Sequence, residues 1–302
     1  MKFLGAYHNG NYKVYMFDDG TKIRANKLTT LEPEFPESID MSICNRCENA
    51  CSFCYECSTP DGALADLNHP ILDSLHPLTE LALGGGNVLE HPDLDDFLKR
   101  MKDKGVLCNM TVHVDNFISD YDRLLAYSKK KLIHGLGISV NQPVSEAVAA
   151  SIAKFPNAVV HVIAGIVTPE ALEVLYDRDI KLLVLGYKKF GRGEDFYAEH
   201  PEVDGGLDWF QKNITELADH FALVSFDNLA LEQLNVKSFV PDEAWEMGYM
   251  GEDGQFTMYI DLVKQEWAIS SVSKRHPLVE DNIDTLFAEV KRRAVHEQKV
   301  SG

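Results

Sequence analysis

Five of the six cysteines, Cys44, Cys47, Cys51, Cys54 and Cys57, fall within 14 residues, and Cys108 stands apart. Thiolates so crowded point to a metal or cluster site, because soft sulfur ligands suit zinc or iron–sulfur. Structural zinc usually joins two cysteine pairs across a stretch of roughly 15–20 residues. Here the stretch is far shorter, and a fifth cysteine would be left over. Iron–sulfur clusters accept tight runs, since the chain must wrap a compact cube, so the spacing favours a cluster over zinc. About 30 residues further on comes Gly84-Gly85-Gly86-Asn87-Val88, where glycine permits close backbone approach.

Composition narrows the setting of this chemistry. The chain has 302 residues, with 29 Lys and Arg against 47 Asp and Glu, a net charge of -18. Such an excess repels phosphate backbones, so nucleic acid is a poor partner. An apolar fraction of 45% fits a globular protein. The sequence shows no basic segment followed by a long apolar run, and no window approaches the roughly 18 apolar residues of a membrane span. A cytoplasmic location is therefore expected, and reducing conditions there favour thiolate ligation over disulfides.

The elements that must position the cysteines follow from periodicity. The first 37 residues alternate around His8-Asn9-Gly10-Asn11 and Asp18-Asp19-Gly20, which reads as a hairpin or short meander. A strand over 38–43 runs straight into the cysteines. Strands are then predicted at 80–84, 106–114, 135–140, 158–164, 181–186 and 222–226. The clearest helix opens at Pro92, carries Leu94, Phe97, Leu98 and Met101 as one stripe, and stops at Gly105. Weaker helices are predicted at 145–155, 168–176 and 207–220. A hairpin over 256–271 and a helix bearing Ile283, Leu286, Phe287 and Val290 complete the chain. Alternating β and α units imply parallel strands with helices outside. The expected class is α/β, a partial (β/α) barrel of about six parallel strands with β-hairpin additions at both ends. It forms one domain with a hairpin region at 1–37, a core at 38–226 and an extension at 227–302.

Within the cysteine run, Cys47-x3-Cys51-x2-Cys54 resembles the signature of the radical S-adenosylmethionine (SAM) superfamily, and Phe53 before the last cysteine is typical of it. The segment Leu83-Gly84-Gly85-Gly86-Asn87-Val88 resembles that family's glycine-rich "GGEP" motif after the second strand, with Asn87 and Val88 where Glu and Pro are usual. The resemblance spans residues 38–226. It implies that Cys47, Cys51 and Cys54 ligate three irons of a 4Fe–4S cluster and that SAM chelates the open fourth iron. An electron from the cluster would then cleave SAM reductively, and the 5′-deoxyadenosyl radical would abstract a substrate hydrogen. A low-potential donor such as flavodoxin or ferredoxin is implied as partner. The resemblance also carries over SAM-binding positions: Phe53, Tyr55, Gly85, Gly86 and Asn87, then Ser139 and Asn141, Gly165 and Tyr187 at later strand ends.

Four residues are candidates for acting on substrate. His113 lies at the mouth end of a strand, Lys188 and Arg192 sit in a basic, glycine-flexed loop, and Cys57 follows the cluster cysteines. The acidic charge and the sheet edges of the terminal hairpins favour a peptide or protein side chain as substrate. A small metabolite or nucleoside precursor is the alternative. A non-enzymatic, metal-stabilised binding module is a third reading, favoured only by Asn87 and Val88.

Overall fold

The structure, a computed structural model, describes residues 1–27 and 30–301. Three strands, β1 (Phe3–Asn9), β2 (Tyr12–Phe17) and β3 (Lys22–Ala25), form a separate antiparallel meander. The main sheet opens with β4 (Ser38–Cys44), β5 (Glu80–Gly85), β6 (Leu107–His113) and β7 (Gly135–Ser139). It continues through β8 (Ala158–Ile163), β9 (Lys181–Leu185) and β10 (Leu223–Phe226), all parallel and adjacent in chain order. A sheet wound in one direction puts every right-handed crossover on the same face. It therefore curls into a partial barrel and does not form a two-sided layer.

That outer face is apolar. Ile39, Met41, Leu81, Leu83, Met110, Val112, Ile138, Val160 and Val184 are buried in one core. Over it lie α1 (Leu94–Lys104), α2 (Val114–Ser119), α3 (Tyr121–Lys129), α4 (Glu146–Lys154), α5 (Pro169–Glu173) and α7 (Glu202–His220), while α6 (Arg192–Glu199) packs against the cysteine loop. Two short helices follow, α8 (Asn228–Gln233) and α9 (Asp242–Gly248), and α10 (Ile283–Ser301) ends the chain. The alternate strand positions, among them Asp40, Ala82, Gly84, Thr111, Ser139 and His161, face inward and keep some access to solvent.

The strand count exceeds the expected six. The described residues form a ten-stranded sheet, because the C-terminal hairpin joins it. β11 (Thr257–Asp261) pairs parallel to β4, with Tyr259 beside Asp40, and β12 (Glu266–Ala268) and β13 (His276–Pro277) continue antiparallel. Eight strands thus run parallel, and the hairpin is a wall of the core, not an addition to it. Its alternating pattern shows a strand pair but not the neighbour to which that pair attaches. Among the described residues, no helix is long and apolar enough to cross a membrane.

The N-terminal meander closes the end of the barrel at which the parallel strands begin. Tyr12, Val14 and Met16 pack on Leu107 and Phe256. Lys22 Nζ reaches Glu80 at 2.8 Å and Glu37 at 3.2 Å. The Arg24 guanidinium grips both Glu37 oxygens at 2.9 and 3.0 Å, and Tyr12 donates to the same carboxylate at 2.6 Å. Burial pushes the fully enclosed Glu37 upward, but the Arg24 hydrogen bonds and the Lys22 and Arg24 charges prevail and hold it below its ordinary value. Its stabilisation is therefore complete above the unfolded glutamate value of about 4.3 and fades as pH falls through the lower folded value. Glu37→Ala leaves Arg24 without its carboxylate and Lys22 with Glu80 alone, and should cost roughly 3–5 kcal/mol in urea unfolding at neutral pH. A loss below 1 kcal/mol, about that of an exposed pair, would show that the meander is not pinned through this carboxylate.

Candidate functional site

The cysteine loop leaves the end of β4 and is tied back on itself by backbone. Asn45 N–H donates to Ala63 O at 2.8 Å, Cys47 N–H to Thr59 O at 2.9 Å and Thr59 N–H to Asn45 O at 3.2 Å. Inside these ties, Cys54 N–H donates to Cys51 O and Cys57 N–H to Cys54 O, each at 3.2 Å. Cys47, Cys51 and Cys54 are half-buried on successive turns. Burial raises the Cys47 and Cys51 thiols above their ordinary value; for Cys47 the charge on Cys54 adds to this, and for Cys51 the charges on Cys54 and Cys47. Cys54 thus acts on both of the other two. Arg192 acts in the opposite sense on both cysteines.

The remaining cysteines part company with these three. Cys44 is buried at the strand end and donates its thiol to Arg46 O, Cys57 is exposed, and Cys108 lies in the core with its thiol pushed up to about 12 by burial alone. Among the described residues, no three His, Cys, Asp or Glu side chains converge tightly enough to hold a single metal ion. A cluster places different demands on its ligands, because each thiolate binds a separate iron. The donor set here, three clustered thiols with a cation beside two of them, is chemically suited to that use.

The glycine-rich segment lies against this loop. Gly86 N–H donates to Cys44 O at 2.5 Å and Asn87 N–H to Arg46 O at 2.7 Å. A Cβ on Gly86 would come within 2.3 Å of Arg46 O, and one on Gly85, where φ is +105°, within 2.3 Å of Cys44 O. The close approach seen here is therefore of chain to chain. Gly84, by contrast, borders open space on the inner face. Asn87 accepts from Leu89 N–H at 3.3 Å and donates to Glu90 at 3.1 Å, which places a carboxylate whose charge reaches Cys44 and Cys47.

The segment after β9 clasps the loop from the other side. Arg192 donates to Cys51 O at 3.1 Å and to Ser58 O at 3.0 Å. Phe53 meets Phe196 edge-on at 5.9 Å, and Tyr55 meets Phe190 at 5.5 Å. Buried Tyr187 donates its hydroxyl to Gly193 O at 2.6 Å. Lys188 Nζ lies 3.8 Å above the Tyr55 ring and donates to Ser271 Oγ at 2.8 Å. Burial lowers the Lys188 ammonium against the opposing pull of Asp227, Asp40 and Glu56. Arg192 is thus a fastener of the loop, and Lys188 faces the inner cleft.

The other expected positions are scattered around the same mouth. His113 caps α2, its Nδ1 accepting from Asp115 N–H at 3.2 Å. Asn141 accepts from Ile163 N–H at 2.8 Å, Ser139 is half-buried at the end of β7, and Gly165 (φ +88°) packs on Val203. Two inward residues escaped the sequence reading. Asp40 is the one charged residue of its strand, and His161 interrupts an apolar run; each break was itself the signal. A concavity of about 530 Å³ between α1 and α3, lined by Lys99, Arg123 and Tyr127, lies on the helical face and contains no cysteine.

No family model matches the chain, and no curated protein does. Solved structures do. A crystal structure of Streptococcus suis SuiB bound to the precursor peptide SuiA matches with TM-score 0.58 at 12% identity, over 86% of this chain and 67% of that one. SuiB bound to S-adenosylmethionine matches with TM-score 0.55 at 12% identity, over 85% of this chain and 66% of that one. The chain therefore has the SuiB fold and spans about two thirds of SuiB's length.

The clasp gives a direct test. Gly191 adopts φ +59° and ψ -142°, a region almost reserved for glycine, and a Cβ there would come within 2.3 Å of Tyr55 O. Gly191→Ala should lower stability by roughly 1–3 kcal/mol and speed alkylation of Cys51 and Cys54 in metal-free protein. Unchanged alkylation rates would mean that the segment does not hold the loop.

Proposed function

We propose that this protein is a radical SAM enzyme that acts on a peptide or protein side chain. One coincidence carries the reading: a Cys-x3-Cys-x2-Cys loop gathers three thiols at the mouth of the same fold in which SuiB binds S-adenosylmethionine. Cys47, Cys51 and Cys54 would hold a 4Fe–4S cluster, and the backbone beside Gly85 and Gly86 would border SAM. Bound there, the cluster and SAM supply one-electron cleavage of a sulfonium bond and a carbon radical able to abstract hydrogen.

The chain's own residues account for what such chemistry requires of a protein. Arg192 fixes the loop backbone and offsets the crowding of thiolate charge. Phe53, Tyr55, Phe190 and Phe196 wall the loop with aromatic rings, which limits the access of water to reactive species. The inner face below the mouth offers small and polar side chains at Ala82, Gly84 and Thr111, leaving room for a substrate group. A peptide substrate is supported by the precursor peptide bound to SuiB, by the acidic charge, and by the open edges of the N-terminal meander. A flavodoxin or ferredoxin would deliver the electron.

Anaerobic reconstitution should load about four irons per chain, and reduction with SAM should release 5′-deoxyadenosine. Cys51→Ala should lose both the iron and the cleavage product. Retention of both, measured by iron analysis and chromatography, would overturn the assignment, and a stoichiometric zinc content in their place would favour a binding module.

A further inference from the structure

The inner cleft holds polar groups for which the cluster loop has no use, and they differ in whether they already have partners. Its cations are committed. Lys188 donates to Ser271, Arg275 donates to Ser270 O and Ser271 O at 3.2 and 2.9 Å, and Lys264 pairs with Glu56 and Asp261. Two nearby carboxylates are committed as well. Asp227 accepts from Gly186 and Ala230 N–H at 2.9 and 2.7 Å, and Glu56 accepts from the Tyr259 hydroxyl at 3.0 Å.

Asp40 differs. Strand alternation turns it inward between Ala82 of β5 and Tyr259 of β11, and water reaches it although protein surrounds it. Among the described residues, none donates a hydrogen bond to it. It sits four residues back from Cys44, about 13 Å below the mouth at the strand rise. On the same face above it stand the buried Ser42 of β4 and, beside Ser42, Gly84 of β5, which presents no side chain.

A second unspent group shapes the wall. The His161 ring lies across Gly137 beside Thr111, so close that a Cβ on Gly137 would meet His161 Cε1 at 2.3 Å and Thr111 Oγ1 at 2.8 Å. Burial lowers this imidazole to about 4, so near neutral pH it is uncharged and does not repel a cation. The free hydrogen-bonding capacity of the cleft therefore lies mostly with acceptors: a carboxylate, a neutral imidazole and hydroxyls.

We propose that Asp40, at the floor of the inner cleft, receives the cationic end of a lysine or arginine side chain of the substrate, with His161 of β8 lining the same inner face. The proposal rests on the peptide reading above and specifies its substrate class. A basic side chain entering from the mouth places its own carbons nearest the cysteine loop and its charge deepest. The charge of -18 on the whole chain attracts such a peptide from solution. Burial raises Asp40 to about 6; Lys188 lowers it, and Asp227 and Asp253 raise it further. The carboxylate is charged at pH 7.5 and neutralised on acidification.

The experiment uses reconstituted protein of known iron content and two capped tripeptides, Ala-Lys-Ala and its acetyl-lysine counterpart, titrated by calorimetry. The lysine peptide should bind roughly ten- to a hundredfold more tightly at pH 7.5, the range of a charged hydrogen bond. That preference should vanish as pH falls through about 6. Asp40→Asn should erase the preference at every pH, while Gly137→Ala should weaken both peptides alike by displacing His161. Equal binding of the two peptides to the wild type, no binding of either, or a preference that survives in Asp40→Asn would each overturn the proposal. If Asp40→Asn does not fold, the wild-type pH profile decides alone. Iron content and SAM cleavage, measured on the same sample, report separately on the radical SAM reading.

Discussion

Burial makes the Cys47 and Cys51 thiols resist ionisation, and much of the architecture at the mouth of the barrel answers that resistance. The burial that gathers Cys47 and Cys51 also raises their thiols, and Cys54 adds to the effect. A loop left to itself would relax by spreading. Here it is bound on one flank by Gly86 and Asn87 and on the other by Arg192, whose guanidinium both ties the backbone at Cys51 and Ser58 and lowers the thiols. One cation thus supplies geometric and electrostatic restraint together, which a neutral donor could not do.

Small residues make this clasp possible. Gly85 and Gly86 let β5 approach the carbonyls of Cys44 and Arg46, and Gly191 lets the segment after β9 approach Tyr55. In each case the missing Cβ is required by protein backbone, so a glycine cluster beside a cysteine run signals tight packing of the loop as well as room for a cofactor. The departures at Asn87 and Val88 belong to the same logic. Asn87 starts a short turn and holds Glu90, and Val88 is buried in the core.

The cysteine loop, the first helix and the strand-to-helix rhythm were legible because each is local: spacing, an apolar stripe, a proline start and a glycine stop. What could not be read was non-local. β11 shows the same alternation whether it closes a hairpin alone or inserts beside β4, and only the completed sheet decides. α7 begins at Glu202, earlier than expected, because Gly205-Gly206 obscures helix propensity; Gly206 is there because its Cα faces Gly165 of the neighbouring turn. Arg192 and Lys188 looked alike as basic loop residues. Four positions separate them, and the turn between sends one to the cysteine loop and the other into the cleft.

The two ends of the barrel use charge in opposite ways. At the closed end, Glu37 sits in a fully satisfied network with Lys22, Arg24 and Tyr12, which fixes one arrangement of the meander and leaves nothing for a ligand. In the open cleft the cations are tied off and one carboxylate, Asp40, is left without a donor. A carboxylate surrounded by protein and without a donor is less well solvated than one in open water, and Asp40, although water reaches it, is raised accordingly. Such a group contributes little to holding the fold together. Its placement is better accounted for by a donor that arrives from outside.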